Sequence, residues 1–357
     1  MKTVAIWAPL RYANYGDDLQ AIAFAMLIKK LGYQVKLFQL DYSLAEEYGL
    51  ESIATIDELC ADVNLCIIAG GALLTPFNLP KRLLHRAAVE YERDFKDLNN
   101  ASKKYGTKFC AISIGGDGEE RIPWLYYSRH RIDFFKSSNF LNGTVRLEGD
   151  ILQMKKFGKD FVYYPDMLFK TAELFQYNRL SSTKKYRVGI NFKKGKYLDN
   201  NLLSDIYEYA RNHDDIEFHF TTTHMQKTGL NYQYLPEKES ANIKIDIYES
   251  PRQLLGVLAS MDIFITSMLH LGLTGLTTGT PFISYRGPGK TKSFLKSIGG
   301  EWAIVDNNIT FEQLKSNFFS KRKEQLYNQY DTDIIKRMIK ESIYQYEYCT
   351  MIVKKFA

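Results

Sequence analysis

Short apolar runs alternate with helical segments along most of the chain, and that alternation restricts it to an α/β fold built on parallel strands. The stretch Ile263 to Tyr285, IFITSMLHLGLTGLTTGTPFISY, shows the repeating unit most clearly. Ile263 to Thr266 reads as a buried parallel strand, Leu269 to Thr278 as a small-residue helix that Gly279 stops, and Phe282 to Tyr285 as the next strand. His270 then falls at a strand-to-helix turn. Such turns line the carboxyl edge of an open sheet, where ligands bind and where helix N-terminal amides favour an anion.

The same pattern fills the first half. Strands are expected at Thr3 to Trp7, Gln34 to Leu40, Leu65 to Ala69 and Phe109 to Ile114, with helices from about Asp18 to Leu31 and through Pro80 to Tyr105. Gly143 to Leu147 and Phe161 to Tyr164 read as further strands at the far edge of that sheet, around a short helix at Ile151 to Phe157. A polar stretch, Tyr177 to Lys185, reads as the interdomain linker. Beyond it come a strand at Tyr186 to Phe192, a helix at Asn201 to Asn212, a strand at Ile216 to Thr221 and a helix at Pro251 to Ser260. The expected organisation is two Rossmann-like, doubly wound domains, residues 1–178 and 186–320, with a ligand cleft between them and a helical tail at 321–357.

Size agrees with two domains, because single cores seldom grow past roughly 250 to 300 residues and this chain has 357, 45% of them hydrophobic. The 47 basic and 41 acidic residues leave a formal charge of +6 without a long Lys/Arg block. Nucleic acid is therefore not an expected partner, whereas an anionic small substrate or an anionic membrane surface fits. Cys60, Cys66, Cys110 and Cys349 lack the close spacing of zinc or redox motifs, and Cys66 and Cys110 sit in apolar runs, so no metal site and a reducing cytoplasm are expected. The N-terminus lacks a cleavage pattern, and no segment reaches the ~20 apolar residues of a membrane span. The tail carries Ile334, Ile335, Met338 and Ile339 along one side. Packing back onto the domains is the expectation for it, with peripheral contact to the inner membrane surface as the alternative.

Several ordered motifs carry a family likeness. NYGDDLQ, Asn14 to Gln20, follows the first strand; IIAGGALL places Gly70 and Gly71 after another. AISIGG ends in Gly115 and Gly116, TVRLEGD contains Arg146, and YYPDMLF contains Asp166. The longest match, Ser250 to Gly299, holds Leu269 and His270, Gly279 and Pro281, then Tyr285, Lys290 and Phe294. In these the chain resembles the polysaccharide pyruvyl transferases from near residue 3 to about residue 306. It departs from them at Met268, where many members carry arginine, and at Leu147, where an aspartate is usual.

The resemblance implies a fold similar to that of the B-type glycosyltransferases, phosphoenolpyruvate as co-substrate with no bound cofactor, and a pyruvate ketal formed on a sugar of a cell-surface polysaccharide or its lipid-linked precursor. That chemistry asks a protein to hold a phosphate and a carboxylate, to protonate the methylene carbon and to deprotonate a hydroxyl. His270 is the candidate acid/base or phosphate-contacting group, set against a histidine satisfied by backbone. Arg146, Leu269, Lys290 and Arg286 are the donor-side candidates; a salt bridge competes for Arg146, a solvated lysine in a glycine-containing loop for Lys290. Arg286 is the reserve for the charge missing at Met268, since a thioether offers no donor. Asn14, Gly16, Asp17, Gly70 and Gly71 are acceptor-side candidates, with helix capping competing for Asp17 or Asp18 and a tight turn for the glycines. His224, just past a strand, reads as an ordinary surface histidine, with a substitute proton carrier as the alternative. Two other functions stand beside this one: a nucleotide-sugar glycosyltransferase of the same fold, and a non-catalytic binding protein of a polysaccharide locus.

Overall fold

Two all-parallel sheets account for the alternation. The structure, a computed structural model, describes residues 2–116, 126–194, 200–230 and 232–357. In the first sheet β1 (Thr3–Trp7), β2 (Gln34–Phe38), β3 (Glu51–Ile53), β4 (Leu65–Ala69) and β5 (Lys108–Ile112) lie in the order β3-β2-β1-β4-β5. β6 (Thr144–Val145) and β7 (Val162–Tyr163) form a separate two-stranded ladder. The second large sheet has β8 (Tyr186–Asn191), β9 (Ile216–Thr221), β10 (Ile243–Asp246), β11 (Ile263–Thr266), β12 (Phe282–Tyr285) and β13 (Ile304–Val305), in the order β10-β9-β8-β11-β12-β13. Strand order reverses between β1 and β4 in one sheet and between β8 and β11 in the other, which are the switch points where Rossmann-like sheets open toward ligands. This is the α/β, two-domain class expected from the alternation.

The central strands are apolar on both faces because helices cover both. β4 (LCIIA), β11 (IFIT) and β12 (FISY) are buried at every residue, as parallel strands require. In the first unit the core is aromatic: Trp7, Phe95, Phe109, Phe134, Phe135 and Phe140 are all buried, and the Phe134 and Phe140 rings lie 5.1 Å apart.

The division into units differs from the linker expectation. One unit comprises Met1–Ala13, Asp17–Met167 and Glu341–Ala357; the other comprises Asn14–Gly16 and Leu168–Lys340. Residues 168–185 belong with the second unit because they pack there. The Phe169 ring lies 6.0 Å from that of Phe294, and the Leu180 amide donates to Ser260 Oγ at 2.8 Å. The tail divides between the units, with Glu341 onward completing the first. The far-edge strands are also corrected: β6 and β7 pair with each other, and single bridges, Phe109 with Phe140 and Ile114 with Val145, tie this region to the β5 side. The helical region after Pro80 breaks at His85 into Leu79–Leu84 and Arg86–Tyr105, because His85 takes an extended conformation.

Candidate functional site

In the first unit the glycine cluster follows β4 directly, with Gly70 at φ +59° and Gly71 at φ +75°. Helix Tyr15–Lys30 sends Gln20 beneath it. The Gly71 amide donates to Gln20 Oε1 at 2.9 Å, and Gln20 Nε2 donates to Asp166 Oδ1 at 3.2 Å. A Cβ on Gly70 would stand 2.1 Å from Gln20 Oε1, so the close approach requires glycine. Asp166 Oδ2 in turn accepts from Arg146 Nη1 at 3.0 Å, and both side chains are buried. Arg146, Gly70 and Gly71 thus share one buried polar network with Asp166. Gln20, which joins them, is not among the sequence candidates, although a polar residue amid LQAIAFAML is the available signal.

The helix itself begins at Tyr15, which places Asp17 and Asp18 in its first turn, where they complement the helix dipole. Neither is the cap. Asn14 Oδ1 accepts the Gly16 amide at 3.0 Å and fills that role.

Asn14 to Gly16 lie with the second unit, in the same cluster as His270. The Tyr15 amide donates to the Thr223 carbonyl at 2.8 Å, and the Tyr15 hydroxyl donates to Thr274 Oγ1 at 3.1 Å. Thr274 bonds back to the His270 carbonyl at 2.8 Å. Gly16 lies so close to His270 that a Cβ there would fall 1.7 Å from the imidazole Nδ1. His270 stands in the first turn of helix Leu269–Thr277, half-buried, with Met268 as a cap that supplies no side-chain bond. Leu269 beside it is buried.

Behind Asn14 is His224, which is buried rather than superficial. Its Nε2 lies 3.0 Å from Asn14 Nδ2 and its Nδ1 3.1 Å from Thr223 Oγ1. Because Asn14 Oδ1 is committed to the Gly16 amide, Nδ2 faces His224, whose Nε2 accepts and whose proton sits on Nδ1. Burial lowers the His224 pKa to about 4, so this imidazole is neutral near pH 7.

Also in the second unit, the loops after β8, β11, β12 and β13 enclose a cavity of about 800 Å³, whose lining includes Lys193, Met268, Arg286 and Lys292. Met268 and the reserve cation Arg286 therefore face one space. Arg286 takes a left-handed backbone (φ +49°), sparsely populated for a residue with a side chain. Its guanidinium bonds Asn308 and lies 5.1 Å from the centre of the Tyr285 ring. Lys292 pairs with Asp306 at 2.8 Å. The Ser267 hydroxyl on the wall, and those of Ser284 and Thr291 near it, are buried without a hydrogen-bond partner among the described residues. Helix Gly289–Ser297 opens at this cavity, again without a side-chain cap, so its dipole adds to the positive field. Lys290 lies in the first turn of that helix rather than in a flexible loop, since Pro288 occupies the N-cap and the Thr291 amide closes on its carbonyl at 3.0 Å. Among the described residues, no group of three or more His, Cys, Asp or Glu is placed to hold a metal ion.

The sequence model of the polysaccharide pyruvyl transferase family matches residues 152–286, a segment that contains His224, Met268, His270 and Arg286. Asn14, Gly70 and Arg146 fall outside it. No protein of curated function matches the chain. Among solved structures, Anabaena Alr3699/HepE in complex with UDP-glucose is similar at a TM-score of 0.59 and 8% identity, over 100% of both chains. MnaA from S. aureus in complex with UDP is similar at a TM-score of 0.59 and 8% identity, over 92% of this chain and 90% of that one. The glycosyltransferase SnogD from Streptomyces nogalater reaches a TM-score of 0.52 at 13% identity, over 96% of each chain. At such identities the likeness is one of fold, that of the B-type glycosyltransferases and related epimerases.

Proposed function

We propose that the chain is a pyruvyl transferase that moves the three-carbon group of phosphoenolpyruvate onto two hydroxyls of a saccharide, closing a pyruvate ketal and releasing phosphate. The observation that carries this reading is the turn after β11. It sets the His270 imidazole two residues from a cavity with three cations on its wall, inside the segment that the family model matches. His270 donates a proton to the methylene carbon as positive charge develops at C2, a task suited to an imidazole, which can both carry and release a proton. The cations and the helix N-termini hold the phosphate and carboxylate. Arg286, from the next loop, supplies the guanidinium that Met268 cannot. Lys290, in the first turn of the helix that opens at the cavity, is a further donor contact in this reading, whereas Arg146 is held by Asp166 within the first unit; the acceptor is a polysaccharide sugar or its lipid-linked precursor.

The cavity volume favours a second reading. About 800 Å³ is ample for a drug-sized ligand and generous for a three-carbon phosphate, and similar folds are seen with UDP and UDP-glucose. A nucleotide-sugar glycosyltransferase fits those two facts.

Thermal unfolding with phosphoenolpyruvate and with nucleotide sugars, at matched ionic strength, separates the two. A ligand at ~100 times its dissociation constant stabilises by about 2.7 kcal/mol. Phosphoenolpyruvate is expected to raise the midpoint, and His270→Ala is expected to stay folded and lose phosphate release. Stabilisation by a nucleotide sugar alone would move the assignment to glycosyl transfer. Unchanged partner binding by His270→Ala, with no turnover by either protein, would indicate a non-catalytic binding protein.

A further inference from the structure

We propose that the face carrying helix Leu79–Leu84 docks the protein on the anionic surface of a lipid bilayer. No residue of this helix is buried. Leu79, Leu83 and Leu84 are 55%, 66% and 85% exposed, and Val89 on the following helix is 41% exposed. Leu79 and Leu83 are four residues apart and so share one helix face. Scattered single leucines on a surface need no explanation, but four large apolar side chains exposed within eleven residues are a concentration that water disfavours.

The charges around the patch select its partner. From Leu79 to Val89 the chain carries Lys81, Arg82, His85 and Arg86, and no aspartate or glutamate. The first carboxylate beyond, Glu90, is held by Arg86 at 3.0 Å. Lys81 folds across the Phe77 ring, 4.9 Å from its centre, and remains exposed. Protein interfaces are depleted of lysine and favour aromatic anchors, whereas leucines interleaved with cations along the chain suit the boundary between acyl chains and acidic headgroups. Six residues, under two turns of helix, present the leucines without the length to cross, and no described helix is long and apolar enough to span a membrane. The side of the tail that carries Ile334, Ile335, Met338 and Ile339, the sequence candidate for this contact, is a poorer one, since Ile335 is buried and the other three are half-buried. The inference is independent of which donor or acceptor the enzyme uses.

Co-sedimentation of the full chain with vesicles tests it, using phosphatidylcholine alone and phosphatidylcholine mixed with phosphatidylglycerol. Binding is expected on the mixed vesicles and should weaken as salt rises. Leu83→Ser/Leu84→Ser should reduce it roughly tenfold or more, and Lys81→Gln/Arg86→Gln should remove most of the preference for acidic lipid. All substituted side chains are exposed, so circular dichroism should be unchanged, and Ile343→Ser/Met351→Ser, on the exposed part of the tail, should bind as the parent does. Undiminished binding by the leucine variant would overturn the proposal. So would a concentration-dependent dimer abolished by the same substitutions without vesicle binding, which would assign the leucines to a second copy of the chain.

Discussion

His224, a buried neutral histidine, supports the residue on which the proposed chemistry depends. Its bond to Asn14 orients the amide that caps the first helix and keeps Gly16 against the His270 ring. Its pKa is about 4 in the fold, against an ordinary 6.5, so between those values the unfolded chain takes up a proton that the folded chain refuses. The stabilisation is complete above pH 6.5 and is lost as pH falls toward 4, by up to ~3 kcal/mol. Unfolding midpoints should therefore drop more steeply over that window for the parent than for His224→Gln, and parallel curves would remove His224 from this role. The two histidines also show which candidate site residues a sequence reveals. His270 was readable because its place is local, one turn past a four-residue apolar strand. His224 was not, because its burial depends on Asn14, 210 positions away. Gln20 was missed likewise, its partners Gly71 and Asp166 lying 51 and 146 positions off.

Between elements, the least expected tie is a charge. Arg131, on helix Arg129–Lys136, is fully buried and pairs with Glu92 of helix Arg86–Tyr105. The rings of Phe77, Tyr91, Phe95 and Tyr127 surround its guanidinium at 5.1 to 5.2 Å. Removing one partner of such a pair strands a buried charge, at roughly 3–5 kcal/mol, whereas an apolar pair of similar volume costs less. Glu92→Leu should lower urea stability by that amount, and Arg131→Met added to it should recover a good part. A further loss in the double variant would show that the ion pair is not what joins the helices. The sequence reading of the elements follows the same physics of burial. β4, β11 and β12 were bounded correctly because LCIIA, IFIT and FISY are buried on both sides. β3 (ESI) and β10 (IKID) were missed because short edge strands have one flank in water and keep polar residues, which erases the signal. Lys290 was misplaced in a loop because RGPGK looks like a turn, although a proline just before a glycine can also open a helix.

The whole molecule departs most from the order of its chain at the C-terminus. Helix Ile343–Phe356 belongs to the first unit, 176 positions beyond Met167, where the rest of that unit ends. Gln345 Nε2 donates to the carbonyls of Tyr164 and Pro165 at 3.0 and 3.2 Å, its Oε1 accepts from Thr144, and the Tyr346 hydroxyl donates to the Met167 carbonyl at 3.2 Å. Lys2 Nζ reaches the Ala357 carbonyl at 2.8 Å. The helix therefore satisfies buried polar groups of the small β6–β7 ladder as well as covering apolar surface, and contacts this distant in sequence form only after long loops have closed. Ile352 and Val353 alone contribute roughly 3–6 kcal/mol of burial, a large share of the ~5–15 kcal/mol that holds a typical domain folded. A chain shortened to end at Lys340 should lose the first unit's calorimetric transition and keep the second's, because the helices through Lys340 stay with the second unit. Such a chain should also yield protease fragments that begin near Leu168. Two transitions at their full-length temperatures would instead make the last helix an appendage, and would show that the first unit is complete at Met167.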